Sequence, residues 1–308
     1  MTKLPPPLAY PLIRPKAWRI AWLAIRPRTL SISVAPVLVG SSLAWTEGSS
    51  VHWLALLAAL CCATLIQIAT NLHNDAVDYE KGNDLPDRPG PLRVTAAGWV
   101  TPGTVRRAAL GSFAGAFLLG IYLAALGGWP IVAIGLASLL AGWSYSGGAR
   151  PISYSPFGEL FVLFFFGVLA VAGCVWLQGH VPDIATLLAG LICGLPAAAV
   201  LLVNNTRDRI ADLRVGRHTL AAILSRAGAT RTYAAMMLAP FVLLPVLAGL
   251  DHSGALLGLL ALPNALIKVR AFAAASNDAA LNPLLPATAR SGLILALLLT
   301  VGFLLELA

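Results

Sequence analysis

Asn71, Asp75 and Asp78 share one short polar string, Asn71-Leu72-His73-Asn74-Asp75-Ala76-Val77-Asp78, and Asn204, Asp208 and Asp212 share another that runs from Asn204 to Asp212. Each string closes a long apolar run. Each sets an asparagine four residues before an aspartate, with a second aspartate one turn on. At 100° per residue the first three side chains fall within about 60° of one helix face, and the second three within about 80°. Carboxylates at the end of a membrane helix are costly and mark function. Two such faces opposed across a cavity repel each other unless one or two Mg2+ lie between them, and Mg2+ held by a few carboxylates favours phosphate oxygens. Asp75, Asp78, Asp208 and Asp212 are therefore the candidate metal ligands. Asn71 and Asn204, as ligands or as groups that orient the acids, complete the candidate catalytic set.

Cations follow the acids. Lys81, Arg88 and Arg93 come after the first string; Arg207, Arg209, Arg214 and Arg217 lie in or after the second. Guanidinium forks suit phosphate oxygens. Metal and cations together would stabilise the charge on a departing diphosphate. If that diphosphate carries an allylic prenyl chain, its departure leaves a carbocation, which an apolar cavity would shield from water. Lys81, Arg93, Arg207 and Arg217 are the candidate substrate-binding residues here. Glu80 and Asp87 read as solvated loop charges, Asp84 as the best further acid, and His73 as a packing residue.

The elements that must position these groups are membrane helices. Of 308 residues, 58% are hydrophobic and 11% charged, with a mean hydropathy of +0.81, whereas a soluble domain is about a quarter charged. A bilayer core takes about 20 apolar residues as helix. Nine such runs stand out, roughly 28–46, 52–73, 106–126, 129–146, 159–178, 184–204, 232–250, 253–270 and 290–307. The expected fold is therefore all-α and integral to the membrane, with nine transmembrane helices in a single domain over 1–308. The loops near 47–51, 127–129, 179–183 and 251–252 carry no Lys or Arg, and all 21 such residues fall on the other side. That segregation predicts a cytoplasmic N-terminal segment, about 1–20, and puts both acid strings on the cytoplasmic side of the cell's inner (plasma) membrane. It also reads the net charge of +8 as topology rather than a nucleic-acid surface. The first 20 residues show no signal peptide. Cys61, Cys62, Cys174 and Cys193 lie in apolar runs without metal spacing. Asp75 and Asp208 are 133 residues apart, at the ends of the second and sixth runs, as a parallel repeat of a four-helix unit would place them.

Beyond their physics, these strings resemble the two Asp-rich motifs of the UbiA superfamily of membrane prenyltransferases. NLHNDAVDYEKGND followed by DRPGPLRVTAAG matches the first, and VNNTRDRIADLRVGRHTLA the second. Gly90-Pro91-Leu92-Arg93, the opening Arg26-Pro27-Arg28-Thr29-Leu30 and the stretch from Tyr145 to Leu160 are similar to the branch that acts on 1,4-dihydroxy-2-naphthoate. The resemblance implies nine helices around a central cavity, with Mg2+, a polyprenyl diphosphate and an aromatic acid as ligands. The acid's ring would be prenylated at its carboxyl-bearing carbon, with loss of CO2 and diphosphate. The chain departs from the broader pattern at Gly82, where an acid is usual, and at Ala149-Arg150-Pro151, which is more charged. Arg150 is thus a further candidate contact, to diphosphate or to the acceptor's carboxylate. The alternatives are a relative with another acceptor (4-hydroxybenzoate, homogentisate or a phytyl-transfer substrate) and a secondary transporter. Transporter sites lie near the midplane on broken helices, and acids at helix ends beside basic loops favour the enzyme.

Overall fold

The computed structural model describes residues 14–48, 51–85 and 87–307. Among them there is no strand. The helices are α1 (Ala17–Ile25), α2 (Ser31–Thr46), α3 (Trp53–Glu80), α4 (Pro102–Ser144), α5 (Gly158–Leu177), α6 (Ile184–Arg214), α7 (Arg226–Ala248), α8 (Ser253–Ala274) and α9 (Leu284–Leu305). Seven are long and apolar enough to cross a bilayer, and α1 and α2, bent by 48° between them, make an eighth candidate as a pair.

The 43-residue α4 does not run straight. Gly128 has φ 64° and ψ −154° inside it, followed by Pro130. Phe113 and Trp143, 30 residues apart, bring their ring centroids within 6.2 Å, whereas 30 residues of straight helix span about 45 Å. The chain therefore doubles back at Gly128, a backbone conformation open to glycine. That hairpin divides α4 into two apolar segments, and this is a multi-pass membrane protein.

The helix ends differ from the sequence expectation in two ways. The acid strings do not begin loops: α3 runs to Glu80 and α6 to Arg214. The N-terminal segment is not wholly irregular either. Its first 13 residues, and the absence of a signal peptide expected there, lie outside the described residues. From Ala17 the chain forms α1, which buries Ile20 against Leu72, Ala76, Val94, Val105 and Ala109. The largest buried cluster joins α2 and α5 to α9, and includes Leu43, Val171, Ile192, Leu202, Tyr233, Leu244, Phe272 and Phe303. It leaves a cavity of about 840 Å³ bordered chiefly by α1 to α6. Cys62 and Cys174 line that cavity, and Cys61 is exposed.

Candidate active site

Both acid-bearing helices end in the same way. After α3, Lys81 caps and Gly82 turns left-handed at φ 72°; after α6, Val215 caps and Gly216 turns at φ 74°. The amide of Asn83 then donates to the Asp78 carbonyl at 2.8 Å, and that of Arg217 to the Asp212 carbonyl at 2.8 Å. Gly82 and Gly216 donate to the carbonyls of Tyr79 and Leu213 at 3.1 and 3.2 Å. These are two Schellman closures. They fix Asp78 and Asp212 at matching positions in the last turn, with Asp75 and Asp208 about one turn earlier. The common spacing in the sequence thus becomes a common geometry at one end of the cavity.

The aspartates there have different surroundings. Asp208 is gripped by Arg207 through both carboxylate oxygens, at 2.8 and 2.7 Å, and by Arg88 at 2.7 and 3.2 Å. Arg207 also donates to Asn204 Oδ1 at 2.8 Å. Asp78 is 1% exposed and accepts from Arg93 at 2.5 Å, from Arg217 and from Asn83 at 3.1 Å. Asp212 meets Arg217 at only 3.6 Å. Asp75 lies 3.9 Å from Arg93, and its Oδ1 is buried without a hydrogen-bond partner. Asp84 pairs with Arg93 at 2.9 Å. Burial opposes the charge on Arg93, but Asp78, Asp84 and Asp75 outweigh it and raise the guanidinium pKa. Arg217 is raised for the same reason by Asp78 and Asp212. Burial and then Arg93 lower Arg88, and burial raises the Asp84 carboxyl.

Of the residues expected from sequence, Asn71, Asp75, Arg93, Asn204, Arg207, Asp208, Asp212 and Arg217 line the cavity. Three stand elsewhere. Asp78 is sealed behind the lining by its guanidinium partners, so it serves here as their anchor rather than as a free ligand. Lys81 is exposed; it sits over the Tyr154 ring at 5.3 Å and reaches the Ser146 carbonyl at 3.5 Å. Arg150 is exposed, outside the lining and in no ion pair, because Gly147 and Gly148 turn the loop outward before it. His73 stacks on Trp143 with centroids 4.2 Å apart, in its expected packing place.

The structure adds residues that the spacing did not single out. Arg26 lines the cavity at the bend between α1 and α2. Gly90 lets the loop pass so close to Arg88 and Arg207 that a Cβ there would stand 2.7 and 2.8 Å from their Nη2 atoms. Asn282 donates to the Pro89 carbonyl at 2.8 Å and ties that loop to the start of α9. Glu159, 2% exposed, accepts from Asn205 at 2.9 Å behind the lining. Arg26, Gly90 and Glu159 all lay within stretches whose resemblance was noted, but none was singled out by its spacing.

Below the charged end the cavity is apolar. Its lining along α3 runs from Ala59 to Asp75, about 24 Å of helix, against a hydrocarbon core of about 30 Å. Ile66, Leu123, Ile131, Ile134, Phe165 and Leu169 are among its walls. Among the described residues no three acids, histidines or cysteines stand close enough to cage a metal on their own. The unpartnered Asp75 oxygen and the loosely held Asp212 do fit a Mg2+ that brings its own oxygen ligands, since Mg2+ binds through one or two carboxylates plus phosphate oxygens.

Comparisons with known proteins agree with this arrangement. A family model described as the UbiA prenyltransferase family matches residues 33–305. The chain is 36% identical to the 1,4-dihydroxy-2-naphthoate octaprenyltransferase of Escherichia coli (strain K12), covering 93% of this chain and 96% of that one. It is 32% identical to the protein of the same name from Bacillus subtilis (strain 168), with 94% and 93% covered. A UbiA homologue from Archaeoglobus fulgidus, solved bound to DMAPP and Mg2+, superposes with a TM-score of 0.65 at 15% identity, covering 93% of this chain and 98% of that chain.

Proposed function

The chain belongs to the UbiA prenyltransferase family, and from that membership we propose that it transfers a polyprenyl group from polyprenyl diphosphate to 1,4-dihydroxy-2-naphthoate. Carbon dioxide and diphosphate are released and the product is demethylmenaquinol, a step of menaquinone biosynthesis. The observation that carries the reading is the pairing of two Asp-bearing helix ends over an apolar cavity about 24 Å deep, a shape that suits a diphosphate head and a prenyl tail. The near relatives named for this reaction support the choice of acceptor.

Asp75, Asp208 and Asp212 would hold Mg2+, which supplies Lewis-acid stabilisation of the diphosphate charge. Arg88, Arg93, Arg207 and Arg217 bind the phosphate oxygens, and Asp78 keeps Arg93 and Arg217 aimed at them. The prenyl C–O bond breaks and its electron pair leaves with diphosphate. A ring π pair of the acceptor forms the new C–C bond at the carboxyl-bearing carbon. The C–CO2 bond then breaks and returns its pair to the ring, which restores aromaticity. Apolar walls at Ile66, Phe165 and Leu169 keep water from the carbocation. The one-sided distribution of Lys and Arg supports an active site on the cytoplasmic side of the inner membrane.

The test is purified protein in detergent with Mg2+, a labelled polyprenyl diphosphate and 1,4-dihydroxy-2-naphthoate. CO2 and diphosphate should appear in equal amounts, and EDTA should stop both. A prenylated product that keeps its carboxylate would point to another acceptor.

A further inference from the structure

Seven arginines line the cavity; Arg19 and Arg28 are exposed to solvent, and the five that are screened from it fall into two groups. Arg88, Arg93, Arg207 and Arg217 each hold at least one aspartate within 4 Å. Arg26 is half-buried, lines the same cavity and forms no ion pair among the described residues. Its electrostatic neighbours Arg93, Asp75, Arg88 and Asp78 all stand beyond ion-pair distance. A guanidinium held out of bulk water without a counter-charge is costly and calls for an anion.

Its backbone is held as deliberately. Arg26 has φ 55° and ψ 58°, one of two positive-φ residues other than glycine among the described residues. It occupies the 48° bend between α1 and α2. The left-handed conformation costs a non-glycine residue about 1 kcal/mol or more and persists where the surroundings impose it. One imposing contact comes from the acid string itself: Asn71 Nδ2 donates to the carbonyl of Ile25 at 3.2 Å. The peptide that leads into Arg26 is thereby fastened one turn from Asp75. Trp22, on the preceding turn of α1, lines the cavity beside it and offers an aromatic face.

Resting on the function proposed above, we infer that Arg26 binds the carboxylate of the aromatic acceptor. The four paired arginines already match the aspartates and pass to diphosphate oxygens when donor binds. Arg26 is left for the second anion of the reaction, at the end of the cavity where the new bond forms. It takes the place that the sequence had offered to Arg150.

The experiment compares the wild type with Arg26→Asn, which tolerates the left-handed backbone but lacks the charge, and with Arg26→Lys, which keeps the charge. Two inhibitors compete with the acceptor in the prenyl-transfer assay: 2-naphthoate, which has the carboxylate, and 1,4-dihydroxynaphthalene, which lacks it. In Arg26→Asn the inhibition constant for 2-naphthoate and the KM for 1,4-dihydroxy-2-naphthoate should rise on the order of 10- to 100-fold, the loss of a charged hydrogen bond. The constants for 1,4-dihydroxynaphthalene and for the prenyl diphosphate should stay within about 2-fold by the same reasoning. Arg26→Lys should recover part of the loss. A raised KM for the prenyl diphosphate with acceptor constants unchanged would reassign Arg26 to diphosphate and overturn the inference. Equal weakening of both inhibitors, with a lowered unfolding temperature, would make Arg26 a structural hinge only and overturn it too. Should the wild type prenylate a different aromatic acid instead, the function reading fails while the two-inhibitor comparison still decides Arg26.

Discussion

Asp75 and Asp78 lie on one face of α3, yet neutralising them should give opposite signatures. Asp78→Asn removes the carboxylate that both Arg93 and Arg217 touch, and their side chains are only 9% and 10% exposed. Breaking a buried ion pair by removing one partner costs about 3–5 kcal/mol. Arg93 retains Asp84 at 2.9 Å and Arg217 retains Asp212 at 3.6 Å, which places the loss at the lower end, about 3 kcal/mol. At about 2 °C per kcal/mol for a chain of this size, the unfolding midpoint should fall by about 6 °C. Asp75 has only a 3.9 Å contact with Arg93 and an unpartnered oxygen. Asp75→Asn should therefore leave the midpoint within about 1 °C. Turnover should drop on the order of 100-fold or more, because the lost group acts on the charge of the departing diphosphate. Thermal unfolding in detergent, followed by tryptophan fluorescence, reads the first quantity, and prenyl transfer followed by mass reads the second. Equal midpoints for the two variants, or wild-type turnover in Asp75→Asn, would refute this division of roles.

Three further outcomes are expected. Gly90→Ala sets a methyl group against the guanidinium ends of Arg88 and Arg207. These flexible ends can move, so the fold should persist, but the KM for prenyl diphosphate should rise several-fold; an unchanged KM counts against Gly90 as the reason both arginines reach Asp208. Burial raises the Asp84 carboxyl despite Arg93 at 2.9 Å. A raised acid favours the folded state below its unfolded value, and that contribution is lost as pH rises through the folded value, so ionised Asp84 costs stability at pH 7. Asp84→Asn should then unfold no earlier than wild type at pH 7, with any advantage shrinking towards about pH 4; a midpoint below wild type at pH 7 would contradict this. Finally, the exposed pair Asp87–Arg214, at 2.5 Å, joins the two loops that follow the acid strings. Single cysteines at either position, on a background without the native four, should react with an impermeant thiol reagent in inside-out vesicles only, and labelling of intact cells would reverse the topology.

The sequence made the two acid faces legible because helical spacing alone puts Asn71, Asp75 and Asp78 together, and Asn204, Asp208 and Asp212 together. It made the apolar segments legible, including the break near Gly128, because a Gly-Gly-Trp-Pro string interrupts the run. The different conditions of Asp75 and Asp78 were hidden. They arise from Arg93 and Arg217, which reach α3 from 15 and 139 residues away in the chain, and no local pattern reports such a meeting. Helix α1 was hidden for another reason. Its nine residues are too short for a span and mix Trp18 and Trp22 with Arg19, so composition alone placed them with the charged N-terminal segment. Arg150 was overvalued because charge after two glycines looked purposeful, while the turn they make faces it away from the cavity.

The prior pairing of acids with guanidinium groups sets how ligands enter. Among the buried and half-buried charges here, Asp75, Asp78, Asp84, Asp208 and Asp212 balance Arg26, Arg88, Arg93, Arg207 and Arg217 in number, with the exposed Arg19 and Arg28 outside that balance. A bare divalent ion that took Asp208 would leave Arg88 and Arg207 alone in a poorly solvated place; a bare diphosphate that took those arginines would strand Asp208 in the same way. If the two arrive as one salt, Arg88 and Arg207 would trade Asp208 for a phosphate oxygen and Asp208 would be free for the metal, while Asp78 keeps its hold on Arg93 and Arg217. The count of opposite-charge contacts is preserved through the swap. On the proposed function, binding would be a partner exchange between two salts, which would couple the ion and the donor in a single event and let both depart together once the prenyl chain has gone.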